Sequence, residues 1–132
     1  METGATAIRV LLADYDSTFL ASVRTLIEEQ PELAVVGEAN DGLEAIELAE
    51  TLGPDAVVID LHMPLLDGVT AVARIRRDHP HVCLLALTGD EAPELHSAVR
   101  EAGADEVLLK SQLVDGLVER LGAVGAASQP SG

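Results

Sequence analysis

Five short apolar runs, each followed by a stretch of helical spacing, limit what this chain can fold into more than any other feature. The first run, Ile8–Ala13, is broken only by Arg9 and stops at Asp14. Leu33–Gly37, Ala56–Ile59, Val82–Leu87 and Glu106–Leu109 follow, and the last three stop at Asp60, Thr88 and Lys110. Phe19, Leu20, Val23, Leu26 and Ile27 share one helical face after the first run, with Asp16 or Ser17 to cap it and Pro31 to end it. Asp41 to Glu44 reads as a capping box leading to Ile46 and Leu48, and Gly53-Pro54 stops that helix. Val69, Val72 and Ile75 carry a third helix to His79-Pro80. Pro93, Leu95, Val99 and Ala102 give a fourth, ending at Gly103, and Leu113, Val114, Leu117, Val118 and Leu121 a fifth.

Alternation of this kind predicts an α/β fold. Near-continuous apolar strands are buried on both faces, so the sheet is parallel and helices cover both sides. With 132 residues there is material for one domain. From Gly122 the chain turns to Gly, Ala, Ser and Pro without apolar period, so residues 1–121 are expected to form the domain and 122–132 a tail or the start of a linker.

Aromatic residues make up 2% of the chain, so Val, Leu, Ile and Ala must build the core. No apolar run reaches the roughly 20 residues a membrane helix needs, and no export signal opens the chain. The formal net charge of −15 argues against direct nucleic-acid binding, which needs clustered Lys and Arg. Cys83 sits in an apolar run as filler, and a lone cysteine fits a reducing cytoplasm. His62, His79, His81 and His96 show no metal-ligand spacing and read as surface or loop residues. Met63, Leu65 and Leu66 are expected to pack the loop after Asp60.

Ligands of such sheets bind beyond the carboxyl ends of the strands. The residues there are Asp14, Tyr15 and Asp16, then Asp60, Thr88 and Lys110. Asp60 offers a carboxylate nucleophile for a phosphoryl group. Asp14 offers oxygen to Mg²⁺, a hard cation. Lys110 and the Thr88 hydroxyl can each bind a phosphoryl oxygen.

The stretch VVIDLHMPLLDG, with Asp60, Met63-Pro64 and Asp67-Gly68, resembles the receiver domains of two-component response regulators. Thr88 in LLALTGD, Lys110 in EVLLK and the AGAD turn (Ala102–Asp105) add to the resemblance, which covers about residues 7–121. It implies a flavodoxin-like doubly wound sandwich with strand order 2-1-3-4-5 and a signalling domain rather than an enzyme. It further implies Asp60 as phosphoacceptor for a histidine kinase or phosphotransfer protein, phosphoryl contacts from Thr88 and Lys110, and Mg²⁺ held by Asp14, Asp60 and the His62 backbone carbonyl. The output partner would use about residues 92–121, and a homodimer is a further possible partner.

Two positions depart from the pattern. The family's pair of adjacent acids falls on Asp14 and Tyr15, and a phenol is a poor Mg²⁺ ligand at neutral pH. Asp16, one residue late, either reaches the metal or caps the first helix. The family's switching aromatic falls on Val107, which predicts weak coupling to the output face. Ser111 after the lysine resembles receivers fused to a C-terminal helix-turn-helix domain; a stand-alone receiver and one cut at its linker both fit. Two alternatives stay open: a phosphorylation-independent interaction module, and a haloacid-dehalogenase-like phosphatase using Asp14 in DYDST.

Overall fold

The computed structural model describes residues 7–112 and 119–122. Its strands are β1 (Ile8–Ala13), β2 (Leu33–Ala39), β3 (Ala56–Asp60), β4 (Cys83–Thr88) and β5 (Glu106–Leu109). They pair in parallel as one sheet of order β2-β1-β3-β4-β5. The helices are α1 (Ser17–Glu28), α2 (Gly42–Leu52), α3 (Gly68–Asp78) and α4 (Pro93–Ala102), and a 3₁₀ turn follows at Lys110–Gln112. Both the flavodoxin-like architecture and the strand order agree with the expectation from sequence. Of the fifth helix, Leu113, Val114, Leu117 and Val118 lie outside the described residues, while residues 119–122 are helical.

Side chains alternate across a strand, so each strand feeds two cores. Leu11, Ala13, Val57, Ile59, Leu84 and Ala86 face α2, α3 and α4, where Ala45, Ala49, Ala71, Val72, Ile75 and Val99 meet them. Val10, Leu12, Val58, Leu85, Leu87 and Leu108 face the other way, against Leu20, Val23 and Ile27 of α1 and against Leu121. Among the described residues no aromatic ring is fully buried, and Phe19 packs partly buried against the second core. Each fully buried Leu or Ile contributes about 1.5–3 kcal/mol from apolar area alone.

The helix starts are set by local chemistry. Asp16 Oδ1 accepts the N–H groups of Thr18 and Phe19. Asp41 accepts the Glu44 N–H, and Glu44 reaches back to the Asn40 N–H. Asp67 accepts both the N–H and the hydroxyl of Thr70. At the far end of the sheet Arg76 donates to the carbonyls of Gly103, Pro80 and Val82 and pairs with Asp105 at 2.8 Å. That one side chain joins α3 to the ends of β4 and β5.

Candidate functional site

Four strands deliver polar groups to one edge of the sheet. Asp14 follows β1, Asp60 ends β3, Thr88 ends β4 and Lys110 follows β5. Asp14, Asp60 and Thr88 are buried, at 2%, 3% and 0% exposure. Lys110 Nζ lies 3.0 Å from Asp14 Oδ2 and 3.5 Å from Asp60 Oδ2. It also stands 4.3 Å from the centroid of the Phe19 ring, so the ring of α1 helps hold the ammonium in place.

The two carboxylates differ in how they are satisfied. Asp60 Oδ1 accepts the His62 N–H at 3.2 Å. Burial pushes the Asp60 carboxyl above the ordinary range and the Asp14 charge adds to this, while the His62 N–H and the Lys110 and His62 charges pull the other way. Asp14 Oδ1 accepts the Asp16 N–H at 2.8 Å. Among the described residues, Asp14 Oδ2 is buried without an aligned hydrogen bond and meets Lys110 as an ion pair.

Asp60 owes its setting to the loop behind it. Gly68 begins α3 and packs so tightly that a Cβ there would come within 2.4 Å of Leu61 Cα and 2.7 Å of Asp60 O. Gly42 meets Leu66 O as closely, at 2.3 Å from the same added atom. Glycine is needed at both places because backbone approaches backbone. Met63 is buried in the core beneath this loop and Leu66 is partly buried against it. Leu65 does not pack the loop as expected: it is 76% exposed, and its φ of 70° turns the chain through the left-handed region.

Asp16 is engaged as the cap of α1. Tyr15 is 66% exposed, so its phenol does not join the buried acids. Among the described residues no group of three or more His, Cys, Asp or Glu side chains converges on one point. Val107 is half-buried and packs against the helix α2–α4 side of the sheet. Cys83 is half-buried, and burial raises its thiol to about 11, which leaves it protonated and unreactive at neutral pH.

Sequence reasoning missed the contacts of the histidines. His62 Nε2 lies 2.9 Å from Thr88 Oγ1, and His96 Nε2 lies 2.7 Å from the Asp90 carbonyl. The first was within reach once β3 and β4 were taken as neighbours, because Asp60 then lies opposite Leu87.

The family model for the response regulator receiver domain matches residues 10–122. The chain belongs to the response regulator receiver domain family. A protein-glutamate methylesterase/protein-glutamine glutaminase of Alkalilimnicola ehrlichii is 39% identical to this receiver over 105 residues, 78% of the chain and 27% of that protein. The transcriptional regulatory protein PrrA of Mycobacterium tuberculosis is 40% identical over 125 residues, 94% of the chain and 52% of that protein. The receiver thus spans about a quarter to a half of the curated relatives it matches. Among solved structures, the response regulator domain of Thermotoga maritima CheB superposes with a TM-score of 0.85 at 28% identity, covering 94% of this chain and 99% of that one. The isolated REC domain of RcsB from Salmonella enterica serovar Typhimurium, solved in the presence of the phosphomimetic BeF3-, gives 0.85 at 26% identity over 96% and 94% of the two chains. The signalling assignment therefore stands over the phosphatase alternative, whose second acid, Asp16, is the helix cap.

Proposed function

We propose that this receiver takes a phosphoryl group onto Asp60 from the phosphohistidine of a histidine kinase or phosphotransfer protein and passes the signal to a partner through about residues 92–121. The observation that carries it is the convergence of buried Asp60 with Lys110, Asp14 and the neighbouring Thr88 at the end of the sheet. An Asp60 carboxylate oxygen attacks phosphorus, the P–N bond breaks, and its electron pair leaves with the donor imidazole. Lys110 and the Thr88 hydroxyl bind the phosphoryl oxygens. Lys110 is already held near Asp60 by Asp14 and the Phe19 ring, so this charge is in place before the reaction.

Asp14 Oδ2, buried and without an aligned hydrogen bond, suits a cation. Mg²⁺ would be held by Asp14, Asp60 and the His62 carbonyl, and when bound it neutralises charge on the phosphoryl oxygens. Two carboxylates and an ammonium nearby make this a weak site. Tyr15 faces solvent and Asp16 Oδ1 caps α1, which supports a site built without a ligand from either. These same two observations, with Val107 in place of a ring, favour a second reading: an interaction module that works without phosphorylation.

Intact mass after incubation with Mg²⁺ and acetyl phosphate separates the two. The first reading expects a single phosphoryl adduct that Asp60→Asn abolishes. No adduct at any Mg²⁺ concentration leaves the interaction module, and an adduct that survives Asp60→Asn refutes both site assignments.

A further inference from the structure

His62 links the phosphoacceptor loop to the β4–α4 connection. Its N–H binds Asp60 Oδ1, and its ring Nε2 reaches the fully buried hydroxyl of Thr88 at 2.9 Å. Thr88 Oγ1 also accepts the Asp90 N–H at 3.0 Å. Asp90 is held in turn: its carboxylate accepts the Ala92 N–H, and its carbonyl is 2.7 Å from His96 Nε2 on α4. A carbonyl only accepts, so His96 carries its ring proton on Nε2 and donates it. His62, Thr88, Asp90 and His96 thus form an unbroken hydrogen-bonded chain from Asp60 to the first turn of α4.

We propose that His62 is a positioning residue that latches Thr88 in the resting state and, through Asp90 and His96, ties the phosphoacceptor site to the start of α4. The proposal rests on the reading of Asp60 as phosphoacceptor. A threonine hydroxyl has one proton and two lone pairs. The Asp90 N–H takes one lone pair. If the His62 ring accepts, it takes the proton and leaves none for a phosphoryl oxygen. If the ring donates, it fills the second lone pair, leaves the hydroxyl proton for a phosphoryl oxygen, and pins the Thr88 oxygen between His62 and Asp90. Either way, moving the Thr88 oxygen itself toward a group on Asp60 strains one of these two bonds, and when the ring accepts, the bond to His62 must be given up. Breaking the bond to Asp90 moves the residue that holds the N-terminus of α4. Val107 carries no ring to rotate on β5, and this polar chain offers a route from Asp60 to a helix surface on that side of the sheet. One neutral hydrogen bond corresponds to about a two- to tenfold change in an equilibrium.

The test uses the full chain with His62→Ala and His62→Gln. Glutamine returns a side-chain amide near the position of Nε2; alanine does not. His62 is exposed, so neither substitution disturbs the core. In amide spectra of the unphosphorylated protein, His62→Ala is expected to shift Thr88, Asp90 and His96, and His62→Gln to return them toward native positions. Labelling of Asp60 by acetyl phosphate with Mg²⁺ should be about two- to tenfold faster in His62→Ala and near native in His62→Gln. Spectra in which Asp90 and His96 do not move with His62→Ala, or equal labelling rates in native and His62→Ala chains, overturn the latch. If no form is labelled, the phosphoacceptor reading falls and the latch as a gate on Asp60 falls with it. Shifts at Asp90 and His96 would then show the hydrogen-bonded chain alone.

Discussion

Tyr15 and Asp60 show how much one residue decides here. Tyr15 stands where the family places an acid, yet its ring is at the surface, so replacing it disturbs no packing. Tyr15→Asp is expected to change stability by less than about 0.5 kcal/mol. It should tighten Mg²⁺ by roughly tenfold or more, because a full charge is added close to the cation. Mg²⁺ titration of the two forms side by side is the check; equal affinities would mean that the site is already complete without position 15. Asp60 carries a cost of its own. Its carboxyl titrates above its ordinary 3.8 in the folded chain, chiefly through burial, so the ionised form weakens the fold. The advantage of the protonated form is fully present below the unfolded value and is lost as pH rises through the raised one. Asp60→Asn should therefore raise the melting temperature at pH 7 and lose that gain as the pH falls below about 4. Thermal melts at both pH values decide it, and a gain of equal size at both would assign the effect to something other than the carboxylate.

At the scale of elements, the site is held by the way helices meet strand ends. Gly68 lets the first residue of α3 lie against the backbone of Leu61 and Asp60, and Asp67 caps the same helix. Gly68→Ala puts a methyl group into that contact. Expected are a loss of about 1–3 kcal/mol, typical of overpacking, and slower labelling of Asp60, because the strained atoms belong to the phosphoacceptor loop itself. Denaturant unfolding and intact mass measure the two separately. Stability lost with labelling unchanged would show that Asp60 is positioned by β3 alone.

For the whole molecule, the charge balance governs behaviour in salt. A formal charge of −15 on 132 residues means that the acids repel one another in the compact state. The screening length falls from about 30 Å at 0.01 M salt to about 8 Å at 0.15 M. The melting temperature should accordingly rise by a few degrees over that range. A flat or falling curve would mean that the surface ion pairs, such as Arg24 with Glu38 and Arg76 with Asp105, outweigh the repulsion.

The sequence by itself determined the parts that follow from period and from strand ends. Apolar runs of four to six residues can only be buried strands in this setting, and β1 and β5 have the bounds their hydrophobicity implied. Asp14, Asp60, Thr88 and Lys110 were legible as a group because a parallel sheet brings all its carboxyl ends to one edge. Distances across the sheet were not legible. Whether Asp16 turned inward or capped α1 depended on two backbone N–H groups that only the folded turn presents. Leu65 reads as packing material in a list of apolar residues, but the left-handed turn between Met63 and Asp67 points it to solvent. His62 reads as a surface histidine, and it meets Thr88 because β3 and β4 are neighbours, a contact across 26 residues of chain. Periodicity records which face a residue takes within its own element. Which partner waits on the next strand is set by strand order and register, and those exist only in the assembled sheet.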